Sequence, residues 1–137
     1  MSNRRNTHTL VLAALVAIGA GCTSTGGEDD VEVSLRDDAV TLTPATADAG
    51  SMTFAATNDG SVTHEIEVFS GDVDPATLPI ENNVASTDGL ELIDEIEDIT
   101  PGASADLTIE LDAGTYVVMC NLPGHFEEGM HAVLEVA

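Results

Sequence analysis

Short segments in which apolar and polar residues alternate, separated by clusters of turn residues, run through the chain from Val31 onward. The segment Leu107–Leu111 (LTIEL) is representative, because Thr and Glu separate its three apolar side chains. A period of two places successive side chains on opposite faces of a β-strand, so that one face can be buried. The pattern predicts seven strands: Val31–Leu35, Val40–Thr43, Ser51–Thr57, Thr63–Phe69, Leu107–Leu111, Thr115–Cys120 and Met130–Val136.

The segment Leu90–Ile99 (LELIDEIEDI) is ambiguous, because its apolar residues fit both a helical and an extended spacing. We favour a strand, since the acidic side chains would crowd one another on a helix and Pro101 follows closely. Asp72–Ser86 is rich in Pro, Asn and Asp and indicates an irregular excursion. Seven or eight short strands at this spacing predict an all-β fold, a Greek-key β-sandwich.

The charge balance of the chain is strongly negative. Its 137 residues, enough for one domain, include 25 Asp and Glu against three Arg and no Lys, for a formal net charge of −22. Such a surface repels nucleic acid and anionic lipid headgroups. Because the acids are spread along the chain from Glu28 onward and Lys is absent, we favour adaptation to very high salt, as in haloarchaeal proteins. The alternative is a local acidic patch that binds a cation or a basic partner.

Residues 1–21 are predicted to be an export signal peptide. Arg4 and Arg5 give the segment a positive start, and the unbroken apolar run Leu10–Ala20 follows them. The run is shorter than the about 20 apolar residues that a membrane span needs. It matches the apolar region of a signal peptide instead.

The signal ends in small residues directly before Cys22, a pattern that resembles a lipobox, the motif at which the cysteine becomes lipidated. Residues 22–30 are small, polar and acidic, and they predict a flexible tether. The folded domain is then residues 31–137. We therefore expect an exported protein that is anchored to the outer face of the cell membrane by a lipid on Cys22.

Three residues with metal-binding side chains share one predicted loop near the end of the chain. Cys120, His125 and Met130 have the spacing Cys-x4-His-x4-Met between two predicted strands, with a Pro-Gly turn inside the loop. Such a loop can direct all three side chains toward one point, and His64 lies where a second loop enters a strand. A thiolate and two imidazoles bind copper strongly, and a thioether is a weak axial ligand. The set predicts a copper site.

The residues of this loop resemble the cupredoxin family of type 1 blue copper proteins. Within Tyr116–Met130 the motif Y-x3-C-N-x-P-G-H is followed by G-M, and the resemblance extends over residues 31–137. Four residues between the Cys and the His look more like the rusticyanin and azurin arrangement than the shorter plastocyanin loop that halocyanins share, which leaves the subfamily open. The resemblance implies one type 1 copper per chain with equatorial ligands His64, Cys120 and His125 and axial ligand Met130.

The neighbours of these residues carry further expectations. Asn121 is expected to hydrogen-bond within the loop or to a backbone group near His64, and so to orient the ligands. His131 directly follows Met130 and points to the opposite face of a strand, so we exclude it as a ligand. The resemblance places His125 near the surface. It also implies an apolar contact patch around that ring, formed by Leu122, Pro123 and Phe126.

The resemblance implies a carrier of single electrons between redox partner proteins, and not an enzyme. Only three His remain after the predicted signal peptide, so the sequence lacks the second His cluster that a copper oxidase requires. No Gly-rich nucleotide loop follows a predicted strand, and no Ser/His/Asp set is evident. The alternative is a copper-binding module for delivery or storage outside the cytoplasm, although delivery proteins more often use open sites rich in Met and His.

Overall fold

Strands dominate the part of the chain that the structure, a computed structural model, describes, residues 29–137. The predicted signal peptide, most of the tether and Cys22 lie outside this range. None of the helices in residues 29–137 is long and apolar enough to cross a membrane. The strands are β1 (Asp29–Arg36), β2 (Ala39–Thr43), β3 (Thr46–Ala47), β4 (Gly50–Asn58), β5 (His64–Ser70), β6 (Ile80–Glu81), β7 (Val84–Ala85), β8 (Glu91–Ile99), β9 (Ser104–Leu111), β10 (Gly114–Met119) and β11 (His131–Val136).

The predicted strands are all present, with small differences at their ends. The ambiguous segment Leu90–Ile99 forms strand β8, as favoured from its acidic content. Eight strands have five or more residues, which agrees with the predicted seven or eight. The two-residue strands β3, β6 and β7 were not predicted, because two residues are too few to show an alternating pattern.

Two mixed sheets pack face to face. The four-stranded sheet has the order β2-β1-β4-β9, and the five-stranded sheet has the order β3-β11-β10-β5-β8. Strand β1 runs parallel to β4 and β3 runs parallel to β11, whereas the other pairs in these sheets are antiparallel. The predicted all-β sandwich is confirmed.

The facing sides of the two sheets form one hydrophobic core. Every second residue of β1 and β4 is buried, because alternate side chains of a strand point to the same face. At one end of the sandwich the core includes Cys120 and Met130, so the predicted copper site continues the apolar interior. The core residues of these two strands are Val31, Val33, Leu35, Met52, Phe54 and Ala56.

Strand β10 is buried on both faces. Val118 packs in the main core, whereas Val117 and Met119 pack in a second cluster with Phe69 and Phe126. The chain between β5 and β8, which includes a 3-10 turn and the β6–β7 hairpin, contributes Ala85, Val73, Leu78 and Leu90 to this second cluster. A strand that is covered on both sides has a continuous run of apolar residues. This explains the sequence YVVMC, which leads into the loop of the predicted copper ligands.

Acidic side chains face one another where β5 pairs with the edge strand β8. Glu67 lies opposite Glu95 in the register, and one carboxylate oxygen of Glu67 is buried without a hydrogen-bond partner. Burial and, after it, the negative charges of Glu65, Glu95 and Glu97 together raise the pKa of Glu67 to about 7. Like charges directly opposite on a sheet are destabilising, so this pair opposes folding when both groups are ionised.

Because solvent partly screens the Glu67 carboxylate, we expect Glu67→Gln to raise the free energy of unfolding at about pH 8 by about 1 kcal/mol. The folded-state pKa of about 7 exceeds the ordinary 4.5, so the native protein binds more protons than the unfolded chain between these values. Stability of the wild type therefore falls as the pH rises through this window. Urea unfolding at about pH 5 and about pH 8 measures the change.

Glu110→Gln is the matched control for this substitution. Glu110 lies exposed on β9 in the other sheet, and its replacement changes the net charge by the same amount. If both variants gain the same stability at about pH 8, reduced overall repulsion explains the effect and the burial of Glu67 does not. If Glu67→Gln alone gains stability and loses the slope with pH, the buried carboxylate is responsible.

Candidate metal centre

The ligand loop, residues 120–130, joins β10 to β11 and folds back on itself. The backbone N–H of Cys120 donates to the carbonyl of Met130 (3.0 Å), and the N–H of Met130 donates to the carbonyl of His125 (3.2 Å). A third bond, from the N–H of His125 to the carbonyl of Leu122 (2.9 Å), closes the Pro-Gly turn. Together these bonds hold the side chains of Cys120, His125 and Met130 beside one another.

His64 begins β5 and is reached through a loop that Asn58 organises. The side-chain oxygen of Asn58 accepts a hydrogen bond from the N–H of Gly60 (2.8 Å). Its Nδ2 atom donates to the carbonyls of Val62 and Ile99, both at 2.8 Å. Asn58 is buried, and these bonds satisfy its amide group. Asn58 was not singled out from the sequence, yet this residue shapes the loop that presents His64.

Three donor atoms converge where the ligand loop meets His64. The Nδ1 atoms of His64 and His125 are 3.1 Å apart, and Sγ of Cys120 lies 3.4 Å from Nδ1 of His125 and 3.9 Å from Nδ1 of His64. Within the described residues, these three form the one group of at least three His, Cys, Asp or Glu whose ligand atoms all lie within 4.8 Å of one another. Met130 is close to them in the main core. The structure thus brings together all four residues proposed as ligands.

The second ring nitrogen of His64 faces a carboxylate that the sequence did not reveal. Nε2 of His64 lies 3.0 Å from Oδ1 of Asp37, in the turn between β1 and β2. The same carboxylate accepts hydrogen bonds from the hydroxyl (2.6 Å) and the backbone N–H (2.9 Å) of Ser61. These bonds, those of Ser61 before that of His64, lower the pKa of Asp37 to about 2. Because 27 residues separate Asp37 from His64, no local sequence pattern connects them.

This contact determines which nitrogen of His64 can bind a metal. An ionised carboxylate can only accept a hydrogen bond, so Nε2 of the neutral ring carries the proton and Nδ1 directs its lone pair at Cys120 and His125. Two imidazole nitrogens and a sulfur that face one another are the donor set of a trigonal His2Cys site, and a buried Met beside them matches the weak axial ligand. The residues present therefore fit a type 1 copper.

The thiol of Cys120 is fully buried, and burial raises its pKa. A hydrogen bond from the backbone N–H of Glu65 to Sγ (3.4 Å) acts in the opposite direction, because it stabilises the thiolate. Metal ions bind the thiolate form of cysteine. Loading of the centre is consequently linked to the release of a proton from Cys120.

His125 is the ring of the centre that reaches the protein surface. Its side chain is partly exposed, whereas His64 and Cys120 have no exposed area. Burial and the neighbouring His64 lower the pKa of His125. This shift favours the neutral ring, whose lone pair can bind a metal.

The side chain of Asn121 does not bond near His64, contrary to expectation. Its oxygen accepts from the N–H of Ala85 (2.8 Å), and its Nδ2 atom donates to the carbonyl of Ala85 (3.1 Å). Successive side chains of an extended segment point to opposite faces, so Asn121 points away from the thiol of Cys120. It ties the ligand loop to β7, the hairpin strand beside the second cluster.

His131 stands apart from the donor group, as its position after Met130 predicts. Its ring stacks on that of Phe126, with centroids 4.6 Å apart and planes inclined by 34°. Phe126 is 4% exposed in the second cluster, so the expectation that it belongs to an exposed contact patch is wrong. Of the expected patch, Leu122 is partly buried against the core and Pro123 is exposed.

Solved structures of blue copper proteins share this fold. The auracyanin of the photosynthetic bacterium Roseiflexus castenholzii is 21% identical, over 81% of this chain and 98% of that chain, with a TM-score of 0.57. Auracyanin A, a "blue" copper protein from Chloroflexus aurantiacus, is 20% identical over 81% of this chain and 100% of that chain, with a TM-score of 0.55. Rusticyanin from Thiobacillus ferrooxidans is 16% identical over 81% and 79%, with a TM-score of 0.61. At these identities the likeness establishes the cupredoxin fold.

A family model gives the finer assignment that the loop length left open. Residues 40–137 match the sulfocyanin (SoxE) domain, and this range contains His64 and the whole ligand loop. No curated protein matches the chain. Cupredoxin homologues bind one type 1 copper, in agreement with the donor set at the end of this sandwich. Because the matched range is most of the sequence, the chain belongs to the sulfocyanin (SoxE) family of cupredoxins.

Proposed function

We propose that this protein carries single electrons between redox partner proteins, using one type 1 copper. His64, Cys120 and His125 are the equatorial ligands and Met130 is the axial ligand. The observation that carries the proposal is the convergence of two Nδ1 atoms and one thiol within 4.8 Å at the end of the core, with Met130 beside them. Sites with this donor set serve electron transfer.

The surroundings of the ligands suit a centre that changes its charge with little movement. Copper supplies a one-electron couple when it is bound, and its two oxidation states prefer different geometries. Three backbone hydrogen bonds hold the ligand loop, Asn58 holds the loop before His64, and both loops emerge from the packed ends of strands. Ligands held by such a supporting shell keep their positions. The rigid frame therefore favours rapid exchange of electrons over chemistry on a bound substrate.

Partner proteins would approach the centre at His125. This ring is partly exposed, and Pro123 next to it in the loop is exposed as well. Val62, in the loop that leads to His64, is 45% exposed, so the same end of the molecule has some apolar surface. Electron-transfer contacts are typically small and transient, and a limited patch of this kind is sufficient.

We also propose that the carrier is held at the outer face of the cell membrane. The apolar run before Cys22 and the polar stretch after it support lipidation of that residue, with the tether allowing the domain to move above the membrane. A single lipid chain gives only marginal attachment, so stable anchoring requires more than one acyl chain on the cysteine. The acidic surface, which repels anionic headgroups, suits a domain that stands away from the bilayer in high salt.

Adding Cu(II) to the metal-free protein should produce an intense visible charge-transfer band, and Cys120→Ser should abolish it, because the band requires the thiolate. Cys22→Ser is the matched control, since it replaces the other cysteine of the chain, which lies outside the centre, and should keep the band. Absorption spectroscopy measures both. A colourless copper complex of the wild type would contradict the proposal. Tight Cu(I) binding with ready transfer to a chelator, and no reversible couple in voltammetry, would favour copper delivery instead.

Met130→Leu should raise the reduction potential by about 60 mV or more while the visible band is retained. Loss of the thioether removes an axial ligand that stabilises Cu(II), and about 59 mV corresponds to a tenfold change in a one-electron equilibrium. Met119→Leu is the control, because Met119 is equally buried but packs in the second cluster. Equal potentials in the two variants would show that Met130 is core packing and not a ligand. Protein-film voltammetry measures the potentials.

Cys22→Ala should move the exported protein from the membrane fraction to the soluble extracytoplasmic fraction. The reason is that lipidation at this position supplies the proposed anchor. Fractionation followed by mass spectrometry of the mature N-terminus measures both location and modification. Cys120→Ala is the control and should stay with the membrane. Retention of Cys22→Ala in the membrane fraction would exclude this anchor.

A further inference from the structure

The turn between β1 and β2 packs against the proposed copper centre at the end of the sandwich. It joins Arg36 to Ala39 and places Asp37 beside His64 and the main chain of Asp38 beside the ligand loop. A Cβ atom added to Gly129 of that loop would lie 2.6 Å from the carbonyl oxygen of Asp38. The turn therefore packs closely against the loop that carries three of the four proposed ligands.

Gly60 shows that the contact between Asp37 and His64 is equally close-packed. A Cβ atom added to Gly60 would overlap Oδ1 of Asp37 and would lie 2.7 Å from Nε2 of His64. Glycine leaves the space in which the carboxylate meets the ring. A residue with a side chain at position 60 would have to displace one of the two.

Hydrogen bonds from Ser61 orient the carboxylate of Asp37. Both of its oxygens accept hydrogen bonds from Ser61, which leaves Oδ1 directed at Nε2 of His64 at 3.0 Å. Its side chain is 42% exposed, whereas that of His64 is fully buried, so the bond reaches from the solvent boundary into the interior. Through this bond a negative charge acts on the one buried ring of the centre.

We propose that Asp37 is a positioning residue of the copper centre, which holds His64 as the Nε2–H tautomer and strengthens Nδ1 as a ligand, so that the reduction potential is lowered. This inference rests on the proposed function. A carboxylate that accepts the N–H of a ligating imidazole fixes the ring orientation and increases its basicity. A more basic ligand stabilises Cu(II) more than Cu(I). Removal of the charge should therefore make the copper easier to reduce.

Three substitutions distinguish this positioning role from a long-range effect of the charge and from a change in the structure of the loop that contains Ser61. Asp37→Asn keeps an acceptor for the N–H but removes the charge. Asp38→Asn removes the same charge one residue away, on an exposed side chain without a bond to His64. Ser61→Ala removes the hydroxyl bond to Asp37 and leaves the bond to His64 in place.

Voltammetry of the copper-loaded variants is the first measurement. Asp37→Asn should weaken Cu(II) binding relative to Cu(I) about tenfold, which raises the one-electron potential by about 59 mV, with the charge-transfer band retained. Asp38→Asn and Ser61→Ala should shift the potential by much less. An equal shift in Asp38→Asn would mean that long-range charge explains the effect, and an equal shift in Ser61→Ala would mean that loop structure does. Either result overturns the proposal.

The tautomer of His64 in the metal-free protein is the second measurement. Nitrogen NMR at about pH 8 should show the Nε2–H form in the wild type and in Ser61→Ala, and a mixture of tautomers in Asp37→Ala. An unchanged tautomer in a folded Asp37→Ala variant overturns the positioning role. If the wild type gives no charge-transfer band, the proposed function fails together with the claim about the potential. The tautomer result then still decides whether Asp37 positions the ring.

Discussion

The burial of β10 on both faces is the constraint on which the rest of this structure depends. A strand that is covered on both sides must be apolar throughout, and Tyr116–Met119 has this character. One cover is the opposite sheet, and the other comes from the chain between β5 and β8. Because both covers hold β10 in place, the chain delivers Cys120 to a fixed point at the end of the core. The apolar packing on both faces of β10 therefore sets the position from which the thiol enters the centre.

Several polar groups around this point have partners within the frame, whereas one buried carboxylate oxygen of Glu67 has none. Asn58 satisfies its amide with backbone atoms, Asn121 does the same with Ala85, and the rings of His64 and His125 face each other and the thiol. Burying a polar group without a hydrogen-bond partner costs on the order of a few kcal/mol of folding free energy. These networks therefore favour the one arrangement in which their members are paired. The frame holds the donor atoms close together, which limits the rearrangement that metal binding requires.

The sequence predicted what local patterns encode. Alternation predicted the strands, and the spacing of Cys120, His125 and Met130 predicted the residues that the ligand loop brings together. What it missed depends on contacts between distant segments. The sequence around Asp37 has no feature that distinguishes it from other acidic turns. Asp37 lies close to the loop before His64 because β1 pairs with β4. The family resemblance placed Phe126 in a surface patch, and no local signal in the sequence shows that the chain between β5 and β8 covers it.

The strong negative charge of the chain gives the contact at Asp37 its particular importance. Charges on exposed side chains act on the centre through solvent, and the screening length falls from about 10 Å at 0.1 M salt to about 3 Å at 1 M. In concentrated salt, most of the 25 acidic residues therefore have little influence on the electrostatic potential at a buried ring. The carboxylate of Asp37 lies 3.0 Å from Nε2 of His64. It therefore acts on the His64 ring within the screening length, and it does so through a hydrogen bond. A protein with this composition can thus carry a dense acidic surface in concentrated salt while the hydrogen bond between Asp37 and His64 still reaches its centre.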